Sequence, residues 1–360
     1  MPQVAVIGAG PAGSYAGYLL TKSGYDVTIY EDSPKIGVPV QCTGIVTKRL
    51  FDLIDYDEQY IVNKLSGVEV IGPKNEKVSI PLKEYVICRI KFDNFVANKA
   101  RDAGAQVFTG HKYVGKEGSN ILIKHDGETR KVNADILIGA DGPLSSVAKT
   151  NGMWRDRKFI FGLQATVKAN FNPDIFTTWF GSLAPGFFAW SVPESATVSR
   201  VGVGTQSNAR AYFDKLVKML GGTILEHQAG PIPIYNGNQA VAKDNVFLVG
   251  DAAGLCKDTT GGGIITGMHS SKILADSIIN NNSYPKQLKK LRFQLWLHAK
   301  LRNMLNNFSD KDYASLIRLM SSERVQSILY EHPRDYPSTL LAKLALAEPR
   351  FLMFGRHAIN

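Results

Sequence analysis

The spacing of apolar positions changes period several times along the chain, and each change predicts an element. Residues 4–7 form an unbroken apolar run, the pattern of a buried parallel strand. A helix-like stretch follows over 14–23 and is closed by Gly24. Residues 25–30 read as a second strand ending in Glu31. Alternation over 67–71 and 77–85 predicts a hairpin turning at 73–76. Ile87 and Cys88 end a strand, 92–102 is helical, and Gln106 starts a further strand. Residues 120–124 and 129–132 flank Gly127 as another hairpin. Strand patterns repeat from 159 to 203 around turns at Asn172-Pro173 and Ala184-Pro185-Gly186, which predicts an antiparallel sheet over 155–235. Beyond 280 the pattern is helical, with a break at 333–337.

The first strand runs directly into Gly8-Ala9-Gly10-Pro11-Ala12-Gly13. A glycine triplet between a strand and a helix, with an acid near the end of the next strand, is the fingerprint that cradles a dinucleotide pyrophosphate. Gly8 permits the tight turn, Gly10 lets the backbone approach the phosphates, and Gly13 lets helix and strand pack closely. The free amides at the helix start face the anion. Glu31, twenty-three residues after Gly8, is placed to accept from ribose hydroxyls. Two later strands end in glycine and aspartate, at Gly139-Ala140-Asp141-Gly142 and at Gly250-Asp251-Ala252. Either is also an ordinary strand-to-loop turn. After the second, Thr259-Thr260-Gly261-Gly262-Gly263-Ile264 opens a new helix, whose start can face the electron-rich end of a reduced flavin. Three strand ends converging on one crevice suit a ligand as long as FAD rather than NAD.

In these segments the chain resembles the FAD-dependent geranylgeranyl reductase family, within the flavoprotein group of p-hydroxybenzoate hydroxylase type. The fingerprint and the two Gly–Asp segments are shared across that group. Three further segments resemble the reductase branch: Gln41-Cys42-Thr43-Gly44-Ile45, the arginine-led Arg89-Ile90-Lys91-Phe92-Asp93, and Gly186-Phe187-Phe188-Ala189-Trp190-Ser191-Val192-Pro193. In the last, Phe188 stands where the family has tyrosine and Val192 where it has phenylalanine. The likeness covers roughly residues 1 to 280. It implies FAD as cofactor, reduction of isolated double bonds in isoprenoid chains of archaeal membrane lipids, and a prenylated lipid as substrate. The fold expected is α/β. A discontinuous Rossmann-like FAD-binding domain takes 1–65, 86–154 and 236–280, an antiparallel β-sheet substrate domain takes 66–85 and 155–235, and 281–360 is a helical C-terminal region.

The resemblance also implies site residues. Cys42 lies in a loop near the flavin, where a thiol can donate a proton, gate entry or sense redox state; a buried small hydrophobe is the other reading. Phe188 and Trp190 either line a hydrocarbon cavity or pack in a core. Arg89 can hold the pyrophosphate or ribityl region with its guanidinium fork. The cofactor set is Gly8, Gly10, Pro11, Ala12, Gly13, Glu31, Gln41, Cys42, Arg89, Asp141, Gly142, Asp251, Gly262, Gly263 and Ile264. No metal site is expected, since the seven histidines show no HExxH spacing.

Composition changes this picture only at the C-terminus. The chain has 360 residues and a formal charge of +10; residues 281–360 hold 13 Lys or Arg against 6 Asp or Glu, so +7 of it lies there. Lys286, Lys289, Lys290 and Arg292 accompany Leu288, Leu291, Leu295, Leu297, Leu301 and Leu305 at broadly helical spacing. Such a helix either lies peripherally on an anionic membrane or is a solvated face. Nucleic acid is not an expected partner, because no recognition motif accompanies the charge. Three scattered cysteines, no apolar run long enough for a membrane span, and a strand already under way at residue 4 make the expected location cytoplasmic. There is no second dinucleotide fingerprint, so ferredoxin, another reduced protein and NAD(P)H stay open as electron donor. An FAD monooxygenase and a flavin-bearing electron-transfer or redox-sensing module share the common motifs and remain the alternatives.

Overall fold

The computed structural model describes residues 1–358; residues 359 and 360, the end of the expected helical region, lie outside it. A six-stranded sheet is built around Gln3–Ile7, flanked by Ile136–Gly139 on one side and Asp26–Glu31 on the other. Val246–Leu248 and Gln106–Thr109 extend it in parallel, and Ala242–Lys243 closes one edge antiparallel. The three Gly-ended or Glu-ended strands thus lie side by side, as their apolar runs predict. The helix Pro11–Lys22 begins three residues earlier than the periodicity suggests, with Pro11 in the first helical turn where its missing N–H costs nothing. It packs against the helix Ile264–Ile279. Gly267 makes the close approach possible: a Cβ there would meet Gly250 Cα at 3.3 Å and Ala12 Cβ at 3.4 Å.

The second sheet has eight strands, in the order Thr223–Pro233, Phe159–Lys168, Val198–Thr205, Ala189–Pro193, Ile175–Trp179, Ile61–Ile71, Lys77–Ile87 and Ile45–Thr47. It departs from the expected purely antiparallel sheet, because Ile175–Trp179 runs parallel to Ile61–Ile71. The sheet also exceeds the segments assigned to it: Ile45–Thr47, wholly outside them, pairs with Lys77–Ile87, and the hairpin strands start at Ile61 and end at Ile87. The helix Ala209–Leu220, which strand alternation does not show, packs Phe213 and Leu216 against this sheet. A separate three-stranded sheet contains the expected hairpin Asn120–His125 and Glu128–Asn133 together with Lys112–Glu117.

The C-terminal helices fold back onto both sheets. Leu288, just before the helix Lys289–Asn306, and Leu291 and Leu295 within it are buried in the core of the nucleotide-binding sheet. Three of the six leucines picked out by that spacing are therefore spent on the protein's own interior. Among the described residues no helix is long and apolar enough to cross a membrane.

The turn before Pro337–Ala347 anchors this region through one buried and one half-buried ion pair. Lys257 Nζ lies 2.5 Å from Asp335 Oδ1, the other carboxylate oxygen accepts from Thr47 Oγ1 at 2.6 Å, and Arg334 pairs with Glu84. Burial pushes the Asp335 carboxyl up, but Lys257 and Thr47 prevail and hold it down at about 2. Asp335→Ala leaves the Lys257 ammonium buried and unpaired, so it is expected to lower unfolding stability by about 3–5 kcal/mol. The group's folded value lies below its ordinary 3.8. Its stabilisation is therefore full above that value and is lost as pH falls through about 2. Urea midpoints of the two proteins should differ constantly at neutral pH and converge in strong acid; equal midpoints at pH 7 would show the pair to be dispensable.

Candidate active site

Strand ends, helix starts and one loop enclose a cavity of about 680 Å³. Its floor is the glycine turn. Gly8 has φ +104°, and a Cβ there would strike the Ala140 carbonyl. A Cβ on Gly13 would strike the Gly8 carbonyl. Gly10 is different: a Cβ there meets nothing within 4 Å, and Gly10, Pro11 and Ala12 border the cavity. Each of these glycines plays a separate part, as the fingerprint implies. Neither the helix starting at Pro11 nor the one starting at Ile264 has a side-chain cap, and both starts line the cavity. Two sets of unsatisfied amides and two positive helix ends therefore face it.

Acidic groups divide between holding the frame and facing the cavity. Glu31 accepts from the amides of Ala9 at 2.7 Å and Ser33 at 3.0 Å, and it borders the cavity beside Tyr30. The Asp141 carboxylate accepts from Ser145 Oγ at 2.6 Å and the Val147 amide at 3.0 Å. It ties down the start of the short helix Ser146–Thr150, so what Asp141 offers the cavity is chiefly its backbone, next to Gly142. Asp251 is the converse. Burial raises its pKa, opposed by Arg89 and Arg157, and none of the hydrogen bonds among the described residues ends on its carboxylate. Gly263 fits tightly over it, since a Cβ there would lie 2.6 Å from Asp251 Oδ1. A half-buried carboxylate with open acceptor positions, two uncapped helix starts and an unobstructed Gly10 fit a dinucleotide bearing phosphates and hydroxyls.

Gln41, Cys42 and Arg89 also line the cavity. Arg89 makes a two-point pair with Asp93, at 2.9 and 2.8 Å. Burial would lower its pKa, yet Asp93 and the neighbouring Cys42 raise it overall. Arg89 therefore stays charged, with the Cys42 side chain facing its guanidinium. Cys42 Sγ accepts from the Gly44 amide at 3.3 Å. Gly44 has φ +73°, and a Cβ there would lie 2.5 Å from Ile87 O and 2.6 Å from Arg200 Nη1. Arg200 donates to Thr43 O at 2.6 Å and Ile87 O at 3.0 Å, pinning the loop to the large sheet. The Cys42 loop is thus a built feature.

Four expected residues are placed differently: Gly13 does not line the cavity, because it packs against the Gly8 carbonyl and Ala140. Gly262 is absent from the cavity lining; it faces Lys257, whose Cε would lie 2.8 Å from a Cβ there, while Gly261, Gly263 and Ile264 border the cavity. The reason is the tight loop, in which Lys257 and Gly262 form a β-bridge. Phe188 and Trp190 do not line the cavity either. They share an apolar cluster with Val68, Phe176 and Ile317. Trp190 reaches the Cys42 loop through hydrogen bonds: its indole donates to Gln164 Oε1 at 3.2 Å, the same oxygen accepts from Thr43 Oγ1 at 2.9 Å, and Gln164 Nε2 donates to Gln228 Oε1 at 2.5 Å.

Residues not singled out in the sequence complete the site. Gly230, Pro231 and Ile232 of the strand Thr223–Pro233 also line the cavity, with Ile232 packed against Gly261 in the loop before the Ile264 helix. A glycine inside a strand pattern is a signal of close backbone approach, so this one was open to detection. Arg157 carries no such signal. Buried, it donates to Pro143 O at 3.0 Å, Asp251 O at 3.1 Å and Ala252 O at 2.5 Å, tying two cavity loops together.

Comparison with known proteins agrees with this geometry. Residues 76–281 match the FAD binding domain family, and residues 6–53 match the NAD(P)-binding Rossmann-like domain. The second match covers the glycine turn and Glu31, so it marks the same dinucleotide cavity. Digeranylgeranylglycerophospholipid reductase of Thermoplasma volcanium is 27% identical, over 94% of this chain and 97% of that protein. Digeranylgeranylglycerophospholipid reductase 3 of Methanosphaera stadtmanae is 28% identical, over 90% and 92%. The crystal structure of a geranylgeranyl bacteriochlorophyll reductase-like protein from Thermoplasma acidophilum superposes with a TM-score of 0.86 at 25% identity, covering 100% of both chains. The likeness thus extends through the C-terminal helices, beyond the 280 residues that carry the motifs.

Proposed function

Because the chain belongs to the FAD binding domain family, we propose that it reduces isolated carbon–carbon double bonds of geranylgeranyl chains in archaeal-type membrane lipids, with FAD as its cofactor. The observation that carries this reading is the full-length likeness to proteins named for that reduction, with a cysteine loop pinned at the wall of the cofactor cavity.

Bound and reduced, FAD supplies the hydride equivalent that an alkene carbon accepts. The chain's own residues do the rest. The amides of Gly10 and Ala12 and the Arg89 guanidinium would hold the phosphates, while Asp251 and Glu31 would accept from hydroxyls of the cofactor. Cys42 delivers the proton to the second alkene carbon, and the Arg89 charge offsets the charge left on sulfur. An unactivated alkene offers little to polarise, so close placement and exclusion of water are the main contributions of the surrounding walls. The electron donor is ferredoxin, another reduced protein or NAD(P)H; stopped-flow reduction with each would identify it.

The deciding experiment is anaerobic incubation of chemically reduced holoenzyme with a geranylgeranylated glycerophospholipid, followed by mass measurement of the product. Gain of hydrogen pairs is the expected result. Strict oxygen dependence with oxygen incorporation would make the protein a monooxygenase. Reversible reduction without turnover, with electrons passing to a protein partner, would make it an electron-transfer module.

A further inference from the structure

The helix Lys289–Asn306 carries two opposed stripes. Leu288, Leu291, Leu295, His298 and Arg302, three and four residues apart, are the buried one. Diametrically opposite, at the same spacing, lie Lys289, Phe293, Trp296 and Lys300, all exposed. Phe293 is 51% and Trp296 46% exposed, far above what large aromatic side chains usually show. Their rings stack on each other at 5.9 Å and 20°, and Lys300 Nζ sits 5.9 Å over the Trp296 ring. The helix contains no aspartate or glutamate. Of its five basic residues, Arg292 and Arg302 are consumed by backbone carbonyls at Gly237, Asp258 and Thr259. Lys289, Lys290 and Lys300, with Lys286 just before them, take part in none of the ion pairs among the described residues.

We infer that this outer stripe is a docking surface for an anionic lipid bilayer. The charge complementarity selects the occupant: two stacked aromatic rings are bracketed by lysines one helical turn away, with no acid among them. Aromatic rings settle at the headgroup level, and lysines beside them reach anionic headgroups on flexible stems. The surface differs from the leucine face that the sequence pattern suggests, three of whose six leucines are buried in the protein. It also stands apart from the reaction assigned above, since binding to a bilayer needs neither turnover nor a prenylated substrate.

The test is co-sedimentation of FAD-loaded protein with vesicles of equal phosphatidylglycerol and phosphatidylcholine, and with phosphatidylcholine alone. The wild type is expected to sediment with the anionic vesicles and to be released by salt. Phe293→Ser/Trp296→Ser should bind about tenfold or more weakly, and Lys289→Glu/Lys300→Glu at least about 25-fold, near fivefold for each lysine removed. Leu225→Ser, an equally exposed apolar residue on another element, should bind as the wild type does. Retained flavin absorbance and circular dichroism establish that each variant is folded. Binding that is absent, indifferent to lipid charge, or unchanged in both double variants overturns the inference. So does a dimer in light scattering that the aromatic variant dissociates, because a second copy would then be the occupant.

Discussion

Gly10→Leu should give a folded protein that no longer retains FAD. A Cβ at Gly10 meets no protein atom within 4 Å, so the leucine side chain extends into the cavity rather than into the core. The space it takes is where the backbone must approach the pyrophosphate. We expect FAD affinity to fall by more than about 100-fold, or about 2.8 kcal/mol at 1.4 kcal/mol per decade. Colourless protein on purification and a lost quench in tryptophan fluorescence titration would register it, with circular dichroism unchanged. Gly13→Leu is the contrast. Its Cβ collides with the Gly8 carbonyl, so strand and helix must separate and the apoprotein itself should be destabilised. Normal flavin content in Gly10→Leu would mean that the glycine turn does not hold the cofactor.

Replacing Cys42 with Ala should leave FAD bound while lipid reduction falls by about 100- to 10,000-fold, the usual contribution of a positioned proton donor. The loop survives the change because its anchors are elsewhere: Arg200 holds the Thr43 and Ile87 carbonyls, and Gly44 supplies the left-handed turn. The sulfur's one hydrogen bond, from the Gly44 amide, is a modest loss. Reduction of the bound flavin by dithionite should be unaffected, since proton delivery follows electron arrival. Cys42→Ser keeps the size and is a far poorer acid, so it should resemble Ala. Cys88→Ala, at the start of the Arg89 helix, serves as the packing control. Normal turnover in both Cys42 variants would return that residue to core packing and leave water as the proton source. Parallel losses of flavin and turnover would assign Cys42 a structural role.

Short-range requirements were legible in the sequence. The fingerprint works because Gly8 and Gly13 answer contacts made within the turn or with the adjacent strand, Gly10 keeps the cavity side clear, and strand, helix and acid follow in fixed order. The same holds for the strand ends at Gly139 and Gly250, for the helix opening at Ile264, and for the hairpin turning at 73–76. These features depend on backbone conformation and local period, which neighbouring residues dictate.

Only the tertiary structure decided the rest, because the deciding contacts join residues far apart in the chain. Asp141 and Asp251 both follow a strand and a glycine, yet one carboxylate is used up on Ser145 and Val147 while the other is left open to the cavity. Arg157 bridges two loops, and Gly230 packs directly against Gln41, far away in the chain. Ile45–Thr47 joins a sheet whose other members lie up to residue 233. In Lys289–Asn306 apolar residues occur on two faces, and periodicity does not say which of them meets the core. The fold buries the leucine face against the nucleotide-binding sheet and leaves Phe293 and Trp296 outside, since a helix packed against one body can bury only one stripe.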